Sequence, residues 1–334
     1  MLSSNAFITR QLALAISVLA LGIGSLSLGH YPLPLSEVLH QLTHYSQTSG
    51  IANQVIWSVR LPRVLMALLA GGALGLCGAT LQGVFHNSLV DPHIIGVTSG
   101  SAFGGTLAIL LGLDPLLMMG STFFFGLSAL ILVYAIAALQ GRENALILIL
   151  SGIIMSGFFA ALVSLIQYQA DTEEVLPNIV FWLLGSFATA NWHKVWLLAV
   201  PVTIAAGVLF KLRWRINLLS LSDKEAQAQC VSVVPLRRCV LLCCALLVAA
   251  QVAVSGSIAW VGLVIPHLTR LLVGVDHRRL LPTAFLLGGG FMILVDDIAR
   301  TLMQAEIPLG IITALVGAPL FTVLLVHSSR RGRR

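Results

Sequence analysis

Charged residues are scarce in this 334-residue sequence. Asp, Glu, Lys and Arg together make up 10% of it, apolar residues make up 57%, and the mean hydropathy is +0.95. A soluble domain carries roughly 25% charged residues, because its surface must be hydrated. The shortage of charge therefore excludes an ordinary soluble globular protein and indicates that lipid surrounds most of the chain.

Motifs of nucleotide-dependent and metal-dependent chemistry are also missing. The lysines are Lys194, Lys211 and Lys224, and none follows a glycine, so the chain lacks the Gly-Lys-Ser/Thr end of a P-loop. HExxH and GxSxG motifs are absent, and the cysteines form no CxxC pair. We therefore predict that the chain is not an enzyme, with no catalytic residue, no metal site and no cofactor of its own.

Apolar segments separated by Gly, Pro or charged residues suggest about ten membrane-spanning helices. We predict an all-α polytopic membrane protein whose residues 1–334 form a single transmembrane domain. The predicted spans cover residues 11–29, 61–83, 93–112, 116–139, 145–168, 192–211, 239–256, 258–273, 281–298 and 309–327.

The basic residues predict the orientation of these spans. With the N-terminus inside, all but four of the 19 Lys and Arg residues lie on the cytoplasmic side. Cytoplasmic loops carry an excess of Lys and Arg, so both termini are predicted to be cytoplasmic. The four exceptions on the outside are Arg60, Arg63, Lys194 and Arg300.

The longest cytoplasmic segment runs from about residue 211 to residue 238. Ser222 and Glu225 have the spacing of a capping box, and Asp223 suits the positive end of a helix dipole. Pro235 prevents this helix from running on. We predict a short amphipathic helix that is either a solvated connector or a contact for a cytosolic motor.

Three outside arginines need a reason, because positive charge is disfavoured on that side. Arg60 and Arg63 flank the start of the second span, and Arg300 follows Asp296 and Asp297 at spacings that allow local ion pairs. The arginines can serve helix ends and lipid headgroups, or they can form a docking patch for an acidic partner.

One face of the fifth span is small and weakly polar. Gly152, Ser156, Ala160 and Ser164 recur every four residues, and Gln167 extends the row. Such a face either lines an aqueous translocation path or packs tightly against a neighbouring helix.

Long motifs from about residue 55 to residue 328 resemble the iron-chelate and vitamin B12 permease family of type II ABC importers. They read RLPRVLMALLAGGALGLCGATLQGVFHNSLVDPHIIGVTSG, SGSIAWVGLVIPHLTRLLVGVDHRRLLP and AEIPLGIITALVGAPLF. Ser88 stands where the family usually has proline, and Thr98 where it has serine. Gln229-Cys230 replaces the common Leu-Gly, so the end of the short cytoplasmic helix is expected to differ.

The resemblance implies a set of partners. They are a second copy of the chain, two cytosolic ATPases that bind ATP and Mg, an outside substrate-binding protein, and membrane lipid, without nucleic acid. It implies that Arg60, Arg63 and Arg300 dock the binding protein, and it favours the face of the fifth span as path lining. It also implies that the ATPase is contacted by Leu221, Ser222, Asp223, Glu225 and Ala226.

The function implied is import of an iron chelate, a siderophore or haem, by ATP-driven alternating access across the bacterial cytoplasmic membrane. Importers of cobalamin and of molybdate or tungstate share this scaffold, so those substrates stay open. A stand-alone secondary transporter would show intramembrane ionisable pairs or repeated halves, which are not evident. The outside histidines His30, His40 and His44 can either meet a metal-bearing substrate or lie in a solvated loop.

Overall fold

The computed structural model describes residues 4–29, 31–44, 50–140, 144–221 and 223–331, and every regular element in these ranges is helical. This confirms the all-α prediction. A π-helical segment covers Val55–Arg60 and a 3-10 turn covers Pro92–Ile95. The α-helices are α1 (Ser4–Ser27), α2 (Leu35–Thr43), α3 (Ile51–Gln54), α4 (Leu61–Val84), α5 (Val97–Leu110), α6 (Pro115–Leu139), α7 (Ala145–Gln169), α8 (Val175–Leu183), α9 (Trp192–Leu219), α10 (Asp223–Ala228), α11 (Val233–Ser255), α12 (Val261–Val273), α13 (His277–Thr301) and α14 (Leu309–Arg331).

Each predicted span coincides with a helix, but the helices differ in length. Seven helical stretches are long and apolar enough to cross a bilayer: α1, the continuous stretch Ile51–Val84, α6, α7, α9, α11 and α13. The apolar parts of α5, α12 and α14 are shorter. A membrane-spanning helix needs about 20 mostly apolar residues, so the chain is a multi-pass membrane protein with seven clear candidate spans.

Glycines bring the backbones of three helices together around α4. A Cβ on Gly71 would overlap the carbonyl oxygen of Gly288 on α13, and a Cβ on Gly78 would lie 2.6 Å from the carbonyl carbon of Gly262 on α12. Small residues permit this close approach inside a membrane protein. The GxxxG spacing of Gly71 and Gly75 therefore serves helix packing.

Some elements depart from the predicted boundaries. Helix α9 continues to Leu219, eight residues past its predicted end, so part of the segment from 211 to 238 extends the span. Helices α2 and α8 were not predicted. The end of α8 nevertheless holds α14, because Leu309 N donates to Gly185 O at 2.9 Å and Gly310 N donates to Leu184 O at 2.8 Å.

Candidate functional site

Arg63 lies in the first turn of α4, where two carboxylates bind its guanidinium. Its Nε atom is 2.9 Å from Oδ2 of Asp296 on α13, and its Nη1 atom is 2.7 Å from Oε1 of Glu306 in the α13–α14 loop. Arg63 is 7% exposed and Asp296 is 1% exposed. The positive charge is therefore neutralised inside the protein by charge-assisted hydrogen bonds.

Arg60 serves the end of α1. Its Nη1 atom donates to the carbonyl of Leu26 at 2.6 Å, and its Nη2 atom donates to the carbonyl of Tyr31. The last carbonyls of a helix have no partner within the helix and carry partial negative charge. A guanidinium provides both hydrogen-bond donors and a positive charge for these carbonyls. Arg60 therefore stabilises the C-terminal end of α1.

Arg300 reaches the same end of α1 from α13. Its guanidinium donates to the carbonyls of Ser25 at 2.6 Å and Leu28 at 2.7 Å, and to Oδ1 of Asp297 at 2.6 Å. Ser25 Oγ also donates to Asp297 Oδ1 at 2.6 Å. Asp297 thus forms the local ion pair with Arg300 that its spacing allowed, and it also binds the end of α1 through Ser25.

The structure therefore brings the three predicted docking arginines together, but inside a cluster that is balanced by three acids. We call Arg60, Arg63, Arg300, Asp296, Asp297 and Glu306 the outer cluster. The arginines are 5%, 7% and 7% exposed, so they do not form an exposed positive patch in this conformation. A role in docking remains a prediction.

Helix α10 is the short helix that the sequence predicted in this segment. Asp223 accepts a hydrogen bond from the buried Arg237 of α11 at 2.5 Å, and Ala226 is fully buried. Leu221 is 41% exposed and Glu225 is exposed, whereas Ser222 lies outside the described residues. Asp223 and Ala226 therefore hold α10 against the rest of the permease, whereas Leu221 and Glu225 face outward.

The end of α10 does not differ as expected from the missing glycine. Cys230 itself adopts a left-handed backbone, with φ of 57°. Its N–H donates to Gln227 O at 2.9 Å, and Val231 N donates to Ala226 O at 3.2 Å. These two bonds are the Schellman pattern that usually ends on glycine. The termination is kept, at the expense of a strained cysteine.

The small face of α7 divides into two halves. Gly152 is buried, where a Cβ would overlap the carbonyl oxygen of Ile94, and Ser156 Oγ donates to His93 O at 3.3 Å. Ala160 and Ser164 are exposed, and Gln167, the last residue of the row, is half-buried. The first half therefore packs against the 3-10 turn, and the second half contains the exposed positions.

Comparison with known proteins identifies the chain. Residues 16–327 match the FecCD transport family. The chain belongs to this family. It is 52% identical over 317 residues to the molybdate import system permease protein MolB of Haemophilus influenzae, covering 95% of this chain and 93% of that protein. It is 36% identical to the hemin transport system permease protein HmuU of Yersinia pestis, covering 94% of each.

A solved structure has the same fold. It is described as an inward-facing conformation of a metal-chelate type ABC transporter, and it is 50% identical with a TM-score of 0.88, covering 96% of this chain and 99% of that chain. These likenesses confirm the resemblance seen in the sequence motifs. This FecCD chain is the permease of an ABC importer, in which separate subunits hydrolyse ATP.

One contact of this FecCD permease was missed from the sequence. His86, in the loop after α4, has its Nε2 atom 2.7 Å from Leu219 O and 2.6 Å from Leu221 O. These carbonyls lie at the end of α9 and directly before α10. A proton on Nε2 of His86 therefore links the end of α4 to the start of the α10 segment. No local signal pointed to this contact, because His86 and Leu219 lie 133 positions apart in the sequence.

A second link joins the C-terminal end of α9 to the N-terminal end of α13. Asn217 Nδ2 donates to Asp276 Oδ1 at 2.7 Å, and His277 N donates to Asn217 Oδ1 at 2.8 Å. Burial acts to raise the pKa of Asp276, but the hydrogen bonds from Asn217 and the backbone of Arg278 outweigh it and hold that pKa below its ordinary value. The carboxylate therefore stays ionised as the helix cap.

The outside histidines do not gather into a site in the described part of the chain. His40 and His44 stack one turn apart at the end of α2, with ring centroids 4.7 Å apart, and His30 lies outside the described residues. No group of three His, Cys, Asp or Glu side chains that could hold a metal ion occurs among the described residues. These histidines add nothing to the argument for a metal-bearing substrate.

Proposed function

We propose that this permease works as a homodimer with two cytosolic ATPases and an outside binding protein in the bacterial inner membrane, and that it imports molybdate or the similar oxyanion tungstate. The observation that carries the substrate is the 52% identity to a molybdate permease over 95% of the chain. Ten spans with both termini in the cytoplasm complete the arrangement. The distribution of basic residues supports this orientation.

An iron chelate is the second candidate substrate. The hemin permease of Yersinia pestis and a probable iron chelatin permease of Helicobacter pylori are each 36% identical to this chain. The lower identity places the iron chelate behind the oxyanion. The expectation of an iron chelate from sequence rested on how often the family carries such cargo.

The path itself supports selection by the binding protein. Helix α7 contains no Asp, Glu, Lys, Arg or His, and its exposed positions Ala160 and Ser164 are small. Such a surface holds neither an anion nor a metal chelate tightly. The face of α7 can let a solute pass without binding it. The binding protein would then select the substrate, and the permease would contribute little selectivity.

Helix α10 is the proposed contact for the ATPase. Its seat on Arg237 and around Ala226 makes it part of the permease body, while Leu221 and Glu225 face outward. Hydrogen bonds of His86 and Asn217 connect the segment just before α10 to α4, α9 and α13 of the same protomer. A push on α10 can therefore reach the central helices, as alternating access requires.

At the opposite end, we propose that the binding protein docks over the outer cluster. Arg60, Arg63 and Arg300 brace the ends of α1, α4 and α13 just beneath this surface. Glu306, whose side chain is 31% exposed, is the most accessible member of the pair that it forms with Arg63. Docking of the binding protein would then shift the ends of α1, α4 and α13, which the cluster joins.

The first test is co-purification with the ATPase encoded beside the permease gene, followed by an assay of ATP hydrolysis. We expect a stable complex whose hydrolysis rises with the neighbouring binding protein loaded with molybdate. Glu225→Arg should weaken the complex, whereas Glu173→Arg, at an exposed site in the α7–α8 loop, should not. Stimulation by a ferric siderophore or hemin, but not by molybdate, would contradict the oxyanion and support the second candidate.

A further inference from the structure

Lys194 is the outside cation that the outer cluster does not explain. It lies in the first turn of α9, half-buried, and its Nζ atom donates to Thr189 Oγ1 at 2.5 Å. No carboxylate in the described part of the chain lies within the 4.0 Å distance of an ion pair with it. Its charge is therefore left to be balanced by something else.

A cavity of about 350 Å³ surrounds this lysine. It lies between the start of α6, the α8–α9 loop and the end of α11. Ser186, Thr189 and Asn191 provide hydroxyl and amide groups on its wall beside Lys194, and no acidic residue lines it. Hydrogen-bond donors beside an unbalanced ammonium make an environment that favours an anion.

An apolar groove of about 360 Å³ adjoins this cavity. The two share the wall residues Ala253 and Val254 of α11, so they lie side by side. The groove runs between α6 and α9, and all of its side chains are apolar. It is lined by Leu116, Met119, Gly120, Phe123, Leu197, Pro201, Ala250, Ala253 and Val254.

The surroundings place the cavity around Lys194 at the level of lipid headgroups. Trp192 is 37% exposed and Trp196 is 65% exposed, both in the first turns of α9. Tryptophan is enriched where a membrane protein meets the interface between lipid and water. Phe124 and Val200, beside the groove, are exposed apolar side chains that suit hydrocarbon.

We propose that this cavity and groove bind one anionic phospholipid, with its phosphate at Lys194 and one acyl chain between α6 and α9 against α11. A free anion would use the cavity alone and would leave the groove without a role. A zwitterionic lipid would bring its own cation and gain less from Lys194. A bound lipid of this kind joins three helices and stabilises the folded permease by mass action.

The test is a lipid titration of the purified permease, followed by native mass spectrometry and by the thermal unfolding midpoint. We expect one phosphatidylglycerol to bind in preference to phosphatidylcholine. Lys194→Gln should weaken phosphatidylglycerol binding about tenfold or more, since a hydrogen bond to a charged group is lost. Lys211→Gln is the matched control, because Lys211 is an exposed lysine in the same helix, far from the cavity.

A second variant tests the acyl chain separately. A Cβ on Gly120 would meet nothing within 4 Å, so Gly120→Leu adds a side chain to the groove wall without a clash at its first carbon. We expect it to weaken phosphatidylglycerol binding while Lys194 stays in place. Unchanged binding in both variants, or equal binding of the two lipids, would overturn the proposal.

Two further arms separate other occupants from the lipid. Inorganic phosphate and molybdate should give no comparable rise in the unfolding midpoint, since neither reaches the groove. Protection by either ion at the same concentration would indicate a free-anion site instead. Loss of dimer in Gly120→Leu would indicate that a second copy of the chain covers this face, which would also overturn the proposal.

Discussion

Cys230 occupies a backbone conformation that costs a residue with a side chain roughly 1–2 kcal/mol. Its φ of 57° ends α10 through the two hydrogen bonds to Ala226 and Gln227. Glycine reaches this conformation without steric conflict, although it loses more conformational entropy on folding. The cysteine therefore makes the end of α10 less stable than a glycine would.

We expect Cys230→Gly to raise the free energy of unfolding by about 1 kcal/mol, because the steric strain disappears and both capping bonds stay. The measurement is the thermal unfolding midpoint of the purified permease. Cys239→Gly is the control of opposite sign, since Cys239 is also exposed but lies within α11. It should lower stability by about 0.5–1 kcal/mol. A Cys230→Gly variant no more stable than the parent would show that the strain is relieved elsewhere.

Local spacing revealed some of the residue contacts and not others. The pairing of Arg300 with Asp297 follows from their separation of three residues on one helix. The contact of Arg63 with Asp296 joins residues 233 positions apart, so no spacing in the sequence could show it. The left-handed backbone of Cys230 was likewise hidden, because only the local fold imposes it.

At the scale of elements, length decided what the sequence could predict. Apolar runs of span length located the ten helices, including the break at Ser255-Gly256-Ser257 between α11 and α12. Helix α8 is nine residues long, too short to be distinguished from an apolar loop. Its contact with the start of α14 depends on backbone hydrogen bonds, which leave no pattern in the side chains.

The packing of α4 gives a prediction for one glycine. We expect Gly78→Ala to destabilise the permease by about 1–3 kcal/mol, because the new methyl group would overlap the backbone of Gly262 and force α4 from α12. Alanine is otherwise the better helix former by about 1 kcal/mol. Gly207→Ala on α9 is the control, since its methyl group would meet nothing within 4 Å. This variant should show only the stabilisation that comes from the higher helix propensity of alanine.

Unfolding midpoints of the two variants should therefore move in opposite directions. A rise in both would mean that α12 can shift away from α4 at little cost. Close backbone contact would then not determine how these two helices pack. A fall in both would point to a shared effect of the added methyl group that is unrelated to the α4–α12 contact.

At the scale of the whole molecule, the two ends of the permease are tied by different means. At the end that carries α10, hydrogen bonds from His86 and Asn217 link α4, α9 and α13. At the opposite end, ion pairs of the outer cluster join α1, α4, α13 and the α13–α14 loop. The orientation that the basic residues predict stays a prediction, and the sequence could not show that Arg63 is balanced by the distant Asp296 and Glu306.

This compensation changes how the docking proposal must be tested. Reversing the charge of Arg63 would leave three acids around a buried site, so weakened docking would follow from misfolding alone. A single substitution of Asp296 also strands a buried charge. We expect Asp296→Leu to lower stability by about 3–5 kcal/mol, the usual cost of removing one partner from a buried pair.

The double variant Arg63→Met with Asp296→Leu should recover most of that loss, because two apolar groups of similar size replace both charges and Glu306 can be hydrated. Asp171→Asn, at an exposed position, should change little and serves as the control. The unfolding midpoints of the parent, Arg63→Met, Asp296→Leu and the double variant form the cycle. If the double variant is as unstable as Asp296→Leu alone, the pair is not an independent unit. If it folds, its affinity for the binding protein then tests Arg63 in docking without the confounding effect of misfolding.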